Sequence, residues 1–180
     1  MKLNSFAIKI SEEEAIKLAE QRIGLIGRLL TSRKAPSEMR TIFIENKLIT
    51  YEITAVPGLI TVLFRKNAAS RKSKIRIIAN GSTSGVAYYD DSGLEIVEME
   101  VSGEQVQMSD YSEAALVTRG NVLARRILRR RVGGNVTLEP LEIRSVFRPY
   151  YVAFYGALTE GSKVRYLPIP ADGCLVRKTF

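Results

Sequence analysis

The chain has 180 residues, 46% apolar and 26% charged, with a formal net charge of +8; this suffices for one large domain or two small ones with a real core. It has no histidine and one cysteine, Cys174, which excludes Ser-His and Cys-His pairs, zinc sites of Cys/His type and any internal disulfide. No stretch approaches the roughly 18 apolar residues of a membrane span, and residues 1–10 carry Lys2 and Lys9 without an apolar run, so a cytoplasmic protein is expected, with a removed signal peptide left open.

Ser11-Glu12-Glu13-Glu14 opens the first helix. The Ser11 hydroxyl can cap the amide three residues on, and Glu14 can reach back. Ile16, Ala19, Ile23, Ile26 and Leu30 recur at spacings of three and four, the period of one helix face. Gly24 and Gly27 weaken the helix, and residues 32–36 end it. Strands are predicted over 41–44 and 48–55, with Glu45-Asn46-Lys47 as a tight turn between them. Ile49, Tyr51 and Ile53 alternate with Thr50, Glu52 and Thr54, so one face of the second strand is buried. After a turn at Pro57-Gly58, further strands are read at 59–65, 75–79 and 86–89. A basic loop occupies 66–73. Polar turns are read at 80–85 and at Asp90-Asp91-Ser92-Gly93. Residues 94–101 and 105–108 add an extra hairpin.

Ser109-Asp110 is read as the start of a second helix running to about Arg131. Its apolar positions are Leu116, Leu123, Ala124, Ile127 and Leu128, and Gly133-Gly134 stops it. Strands follow at 137–147, interrupted by Pro140, and at 150–158. A turn at 159–162, a strand at 164–169, the turn Pro170-Ala171-Asp172-Gly173 and a strand at 174–178 close the chain. The order helix, strands, strand, turn, strand therefore occurs twice. Val62-Leu63-Phe64 then Ser73-Lys74-Ile75-Arg76 matches Val152-Ala153-Phe154 then Ser162-Lys163-Val164-Arg165. The predicted class is α+β: a first αβ repeat with its extra hairpin over residues 1–108 and a second over 109–180. Each helix is expected to lie on its own strands, in one compact unit.

Ser11-Glu12-Glu13-Glu14-Ala15-Ile16-Lys17-Leu18-Ala19 resembles the opening helix of PepSY-like domains. Tyr151 to Tyr155 followed by Val164 to Leu175 resembles their closing hairpin, with Ala171-Asp172-Gly173 at its turn. Residues 79–87 resemble the equivalent turn of a first copy. The resemblance implies cystatin-like packing of helix on sheet in a small non-catalytic domain, often inhibitory or protein-binding. The extra strands and the arginine-rich second helix depart from that pattern.

Charge is uneven: 15 basic and 13 acidic residues precede Ser109, against 12 and 6 from Ser109 onward. On a helical wheel Arg126 and Arg130 fall within about 20° of Arg119, and Arg125 and Arg129 lie further round the same side. A guanidinium fork fits two phosphate oxygens at once. Arg119, Arg125, Arg126, Arg129 and Arg130 are therefore candidate anion or nucleic-acid ligands, against the plain reading of a solvated helix face near a C-terminus. Tyr150, Tyr151 and Tyr155, beside Arg148, are candidate ligand-groove residues, against the reading of a core strand. Asn80–Gly85 lacks the phosphate-loop spacing, and Cys174 and the pairs Asp90/Asp91 and Glu98/Glu100 read as structural. No catalytic residue, metal site or cofactor is expected. The expected function is a non-enzymatic binding module for a protein or small ligand, with nucleic-acid binding through the arginine face as the alternative. A homo-oligomer is left open.

Overall fold

The computed structural model describes residues 1–22, 35–56, 71–90, 94–131, 135–156 and 164–173. Expectations on residues 23–34, 57–70, 91–93, 132–134, 157–163 and 174–180, Cys174 included, lie outside them. The elements in chain order are β1 (Lys2–Phe6), α1 (Glu12–Arg22), β2 (Glu38–Val56), β3 (Arg71–Asn80), β4 (Val86–Tyr88), β5 (Ile96–Glu100), a short 3-10 turn (Gly103–Gln105), β6 (Val106–Gln107), α2 (Glu113–Arg131), β7 (Asn135–Tyr155) and β8 (Arg165–Pro170). The protein is α+β, with a mixed sheet in the order β4-β3-β2-β7-β1-β5; β6 pairs with β2 and β8 with β7.

Two strands are longer than the sequence pattern indicated. β2 runs unbroken through Glu45-Asn46-Lys47, where a turn was expected. Asn46 and Lys47 are already in the antiparallel ladder, opposite Asn80 and Ala79. Charged residues alternating along a strand mimic a polar turn when read one by one. β7 likewise passes Pro140 and Pro149. Proline lacks an N–H, so it is tolerated only where the ladder does not call for that donor. The β8 ladder begins at Tyr150, and the Pro149 carbonyl still accepts from the Ala171 N–H at 2.9 Å.

The chain forms two compact units: Met1–Ile44, Leu94–Gln107 and Val146–Lys178 in one; Glu45–Gly93, Met108–Ser145 and Thr179–Phe180 in the other. Each draws on both sides of residue 108, where the sequence had placed a boundary.

In the first unit α1 begins with the expected reciprocal cap: the Glu14 N–H donates to Ser11 Oγ at 3.2 Å and the Ser11 N–H to Glu14 Oε2 at 2.9 Å. Its buried stripe is Ala15 and Ala19, with Leu18 at the side, rather than a line centred on Ile16. These small residues let the helix approach Tyr151, Ala153 and Tyr155 of β7 and Ile169 of β8. A second cluster joins Leu3, Phe43, Val101 and Phe147. In the second unit α2 lies on β3 and β4. Leu116, Ala124 and Leu128 share a core with Ile49, Tyr51 and Ile53 of β2 and Ile75, Ile77 and Ala79 of β3.

The helix cover is therefore exchanged relative to expectation. α1, from the first half of the sequence, covers the β7–β8 hairpin of the second half. α2, from the second half, covers strands of the first. An apolar helix stripe is complementary to any apolar sheet face of suitable width, so the periodicity that predicts each helix does not name its strands.

Candidate anion-binding face

α2 starts three residues later than the sequence suggested, and Ser112 rather than Ser109 caps it. The Ala115 N–H donates to Ser112 Oγ at 3.3 Å; side-chain oxygens at this position satisfy amides that have no partner within the helix. Ser109 belongs to the lead-in. Its Oγ accepts from the Tyr111 N–H at 3.2 Å, and its own N–H donates to Glu45 Oε2 at 3.0 Å.

Glu45 is the centre of a clasp that seats this lead-in. Ser145 Oγ donates to Glu45 Oε1 at 2.7 Å, and Lys47 Nζ lies 2.9 Å from the same oxygen. The Glu45 carbonyl accepts from the Gly81 N–H at 3.0 Å, and the Gly81 carbonyl from the Asp110 N–H at 2.9 Å. Burial alone would raise the Glu45 pKa. The hydrogen bonds from Ser145, Lys47 and the Ser109 N–H, with the Lys47 charge, outweigh it and hold the carboxyl below its ordinary value. Lys47 also donates to Ser145 Oγ at 2.8 Å, a distance suited to a serine-lysine nucleophile. Yet its ammonium also lies 3.6 Å from Glu113. Held between two carboxylates, it offers no lone pair to take a serine proton. The cluster is a structural clasp.

Further along α2, the Tyr51 hydroxyl donates to the Val117 carbonyl at 2.7 Å. It reaches that carbonyl because Gly120 has no side chain; a Cβ there would stand 2.6 Å from the hydroxyl oxygen. Burial pushes the Tyr51 pKa up to about 12. This inner face sets the rotation of the helix, with Leu116, Gly120, Ala124 and Leu128 buried.

Arg119, Arg125, Arg126, Arg129 and Arg130 are consequently all exposed, the placement the wheel predicted. Arg125 Nε donates to Asn121 Oδ1 at 2.7 Å, one turn back. Among the described residues, no carboxylate forms an ion pair with any of the five. Other cations are matched: Lys2 with Glu98, Arg40 with Glu38, Lys47 with Glu45, Lys72 with Glu52, and Arg148 with Asp172. Val122, 58% exposed, lies among the arginines.

The three tyrosines do not line an open groove. Tyr150, Tyr151 and Tyr155 are all buried. Tyr151 and Tyr155 sit in the core beneath α1, and burial, with smaller effects of Glu12 and Glu20 respectively, raises their hydroxyl pKa values. Tyr150 packs under the Arg148 guanidinium, 5.4 Å from ring centre. Arg148 in turn makes a two-pronged pair with buried Asp172, at 2.7 and 3.1 Å. The sequence left this strand face uncovered because it placed α1 elsewhere.

The loop after β3 is a turn, as read. Asn80 Oδ1 accepts from the Ser82 and Thr83 N–H groups at 2.9 and 2.8 Å, and Ser84 takes a φ of 54°. Among the described residues no three His, Cys, Asp or Glu side chains gather as metal ligands. Sequence reasoning missed the Glu45 clasp. Its signal was the spacing of two between Glu45 and Lys47, which puts both on one face of a strand.

Compared with known proteins, the chain matches no family model, no curated protein and no solved structure.

Proposed function

We propose that this protein is a non-catalytic binding module that engages a polyanion, the phosphate backbone of a nucleic acid, through the outer face of α2. The observation that carries this reading is the set of five exposed arginines without a carboxylate partner among the described residues. Five like charges on one helix face repel one another, and a polyanion relieves that repulsion while accepting two-pronged hydrogen bonds. A small ligand held at Tyr150, Tyr151 and Tyr155 has less support, because α1 and Arg148 already occupy those rings.

The element order suggests a duplication: α1, β2 and β3 correspond to α2, β7 and β8, with the helices exchanged. The PepSY-like likeness of the α1 opening fits a small non-catalytic domain of this kind. A cytoplasmic setting belongs to the same proposal.

A salt series tests it. Five neutralised phosphates give a log–log salt slope of about −3.5 on single strands and about −4.5 on duplex. Affinity should then fall by two to three orders of magnitude, roughly, between about 50 and 200 mM salt. Arg126→Glu with Arg130→Glu should abolish binding while the melting temperature holds. Absence of binding to mixed-sequence DNA and RNA at low salt, or undiminished binding by the double variant, rejects the reading.

A further inference from the structure

Resting on that reading, we infer that the nucleic acid is single-stranded, and that Tyr88 stacks on an unpaired base beside the arginine face. β4 ends the sheet, next to β3. Tyr88 stands opposite Ile77 in the antiparallel ladder, and directly opposed residues project to the same side of a sheet. Ile77 is fully buried in the core that α2 covers. Tyr88 therefore projects to the α2 side. Because its strand is an edge, the ring remains 42% exposed. Val86, two residues earlier, packs into that core, and α2 lies directly on β4. A ring with an open flank and a row of guanidiniums thus share one layer of the second unit.

Those two features together discriminate between forms of nucleic acid. Arginines hold phosphate in any strand. An exposed aromatic ring contributes only where a base is free to leave its neighbours, since duplex bases are already stacked on one another. From Arg119 to Arg130 the helix spans about 16 Å, which lets a strand track the arginines while a base turns to the ring. Tyr89, the next residue, is buried and serves as an internal control.

The test uses the full chain and fluorescence anisotropy with labelled oligothymidylate of about 16 nucleotides, a duplex of equal length, and inorganic polyphosphate. The single strand should bind at least about tenfold tighter than the duplex. Tyr88→Ala should weaken single-strand binding by about five- to a hundredfold and leave polyphosphate binding and the salt slope unchanged. Tyr88→Phe should retain binding, since stacking needs only the ring. Duplex binding as tight as the single strand, or wild-type affinity in Tyr88→Ala, overturns the single-strand inference while the polyanion reading stands. Loss of polyphosphate binding together with DNA binding in Tyr88→Ala shows a folding defect and also overturns it. No binding to any of the three probes rejects both.

Discussion

Replacing Gly120 with alanine places a methyl group 2.6 Å from the Tyr51 hydroxyl oxygen and 3.3 Å from Ile49 Cδ1. In a solvent-exposed helix interior the same change stabilises by about 1 kcal/mol, because glycine loses more backbone freedom on folding. Here the tyrosine must move, and it has little room: its side chain is fully buried and its hydroxyl is tied to the Val117 carbonyl. Overpacking costs about 1–3 kcal/mol, and loss of the hydrogen bond adds about 1 kcal/mol. The net expectation is a loss of about 1–3 kcal/mol despite the better helix former. Tyr51→Phe removes the oxygen that the new methyl group would strike. Ile49 Cδ1 at 3.3 Å and the ring carbon at 3.5 Å then become the nearest atoms, and both can give by a few tenths of an ångström. In that background the glycine-to-alanine change should be neutral or gain up to about 1 kcal/mol. Urea denaturation of the four proteins of this cycle measures the coupling directly. Equal cost of Gly120→Ala in both backgrounds, or no cost in the wild type, would refute the contact between α2 and β2 as described.

Asp172→Ala leaves the Arg148 charge largely buried without its partner, so a loss of about 3–5 kcal/mol is expected in urea; Arg148→Met with Asp172→Leu should recover most of it. Glu45 is held below its ordinary carboxyl pKa of 4.5, so its contribution is complete above that value and disappears as pH falls through the lower folded-state value. Glu45→Gln should therefore lower stability at pH 7 and flatten its fall below about pH 4.5; an unchanged acid limb would show that the clasp is not ionised. Because α1 shares a core with β7 and β8 while α2 shares one with β2 and β3, fragments 1–108 and 109–180 should each lack cooperative unfolding alone. Co-expressed, they should purify together and recover native circular dichroism; independently folded fragments would contradict the exchanged cover.

The local signals and the tertiary outcome separate cleanly in particular residues. Ser11 and Glu14 are three apart and form their reciprocal cap, because a helix N-terminus closes within one turn. The arginines of α2 face outward because Leu116, Ala124 and Leu128 supply an opposing apolar stripe within the same helix. In contrast, Glu45 and Lys47 read as a turn, since alternating charges in a strand look polar until Ser145 and Ser109 are brought beside them. Tyr88 was legible as a strand residue, but its exposure follows from β4 being an edge, which no local pattern states.

By itself, then, the sequence determined the α+β class, the two helices with their polar and apolar sides, the turn at Asn80–Gly85 and the arginine row. All of these arise from interactions within a few residues along the chain. Only the tertiary structure decided which strands each helix covers, that β2 and β7 run on past their apparent breaks, and that Tyr151 and Tyr155 belong to the core. Burial of apolar area is non-directional; it rewards a helix for covering some sheet face, and the choice among faces rests on contacts between residues far apart along the chain.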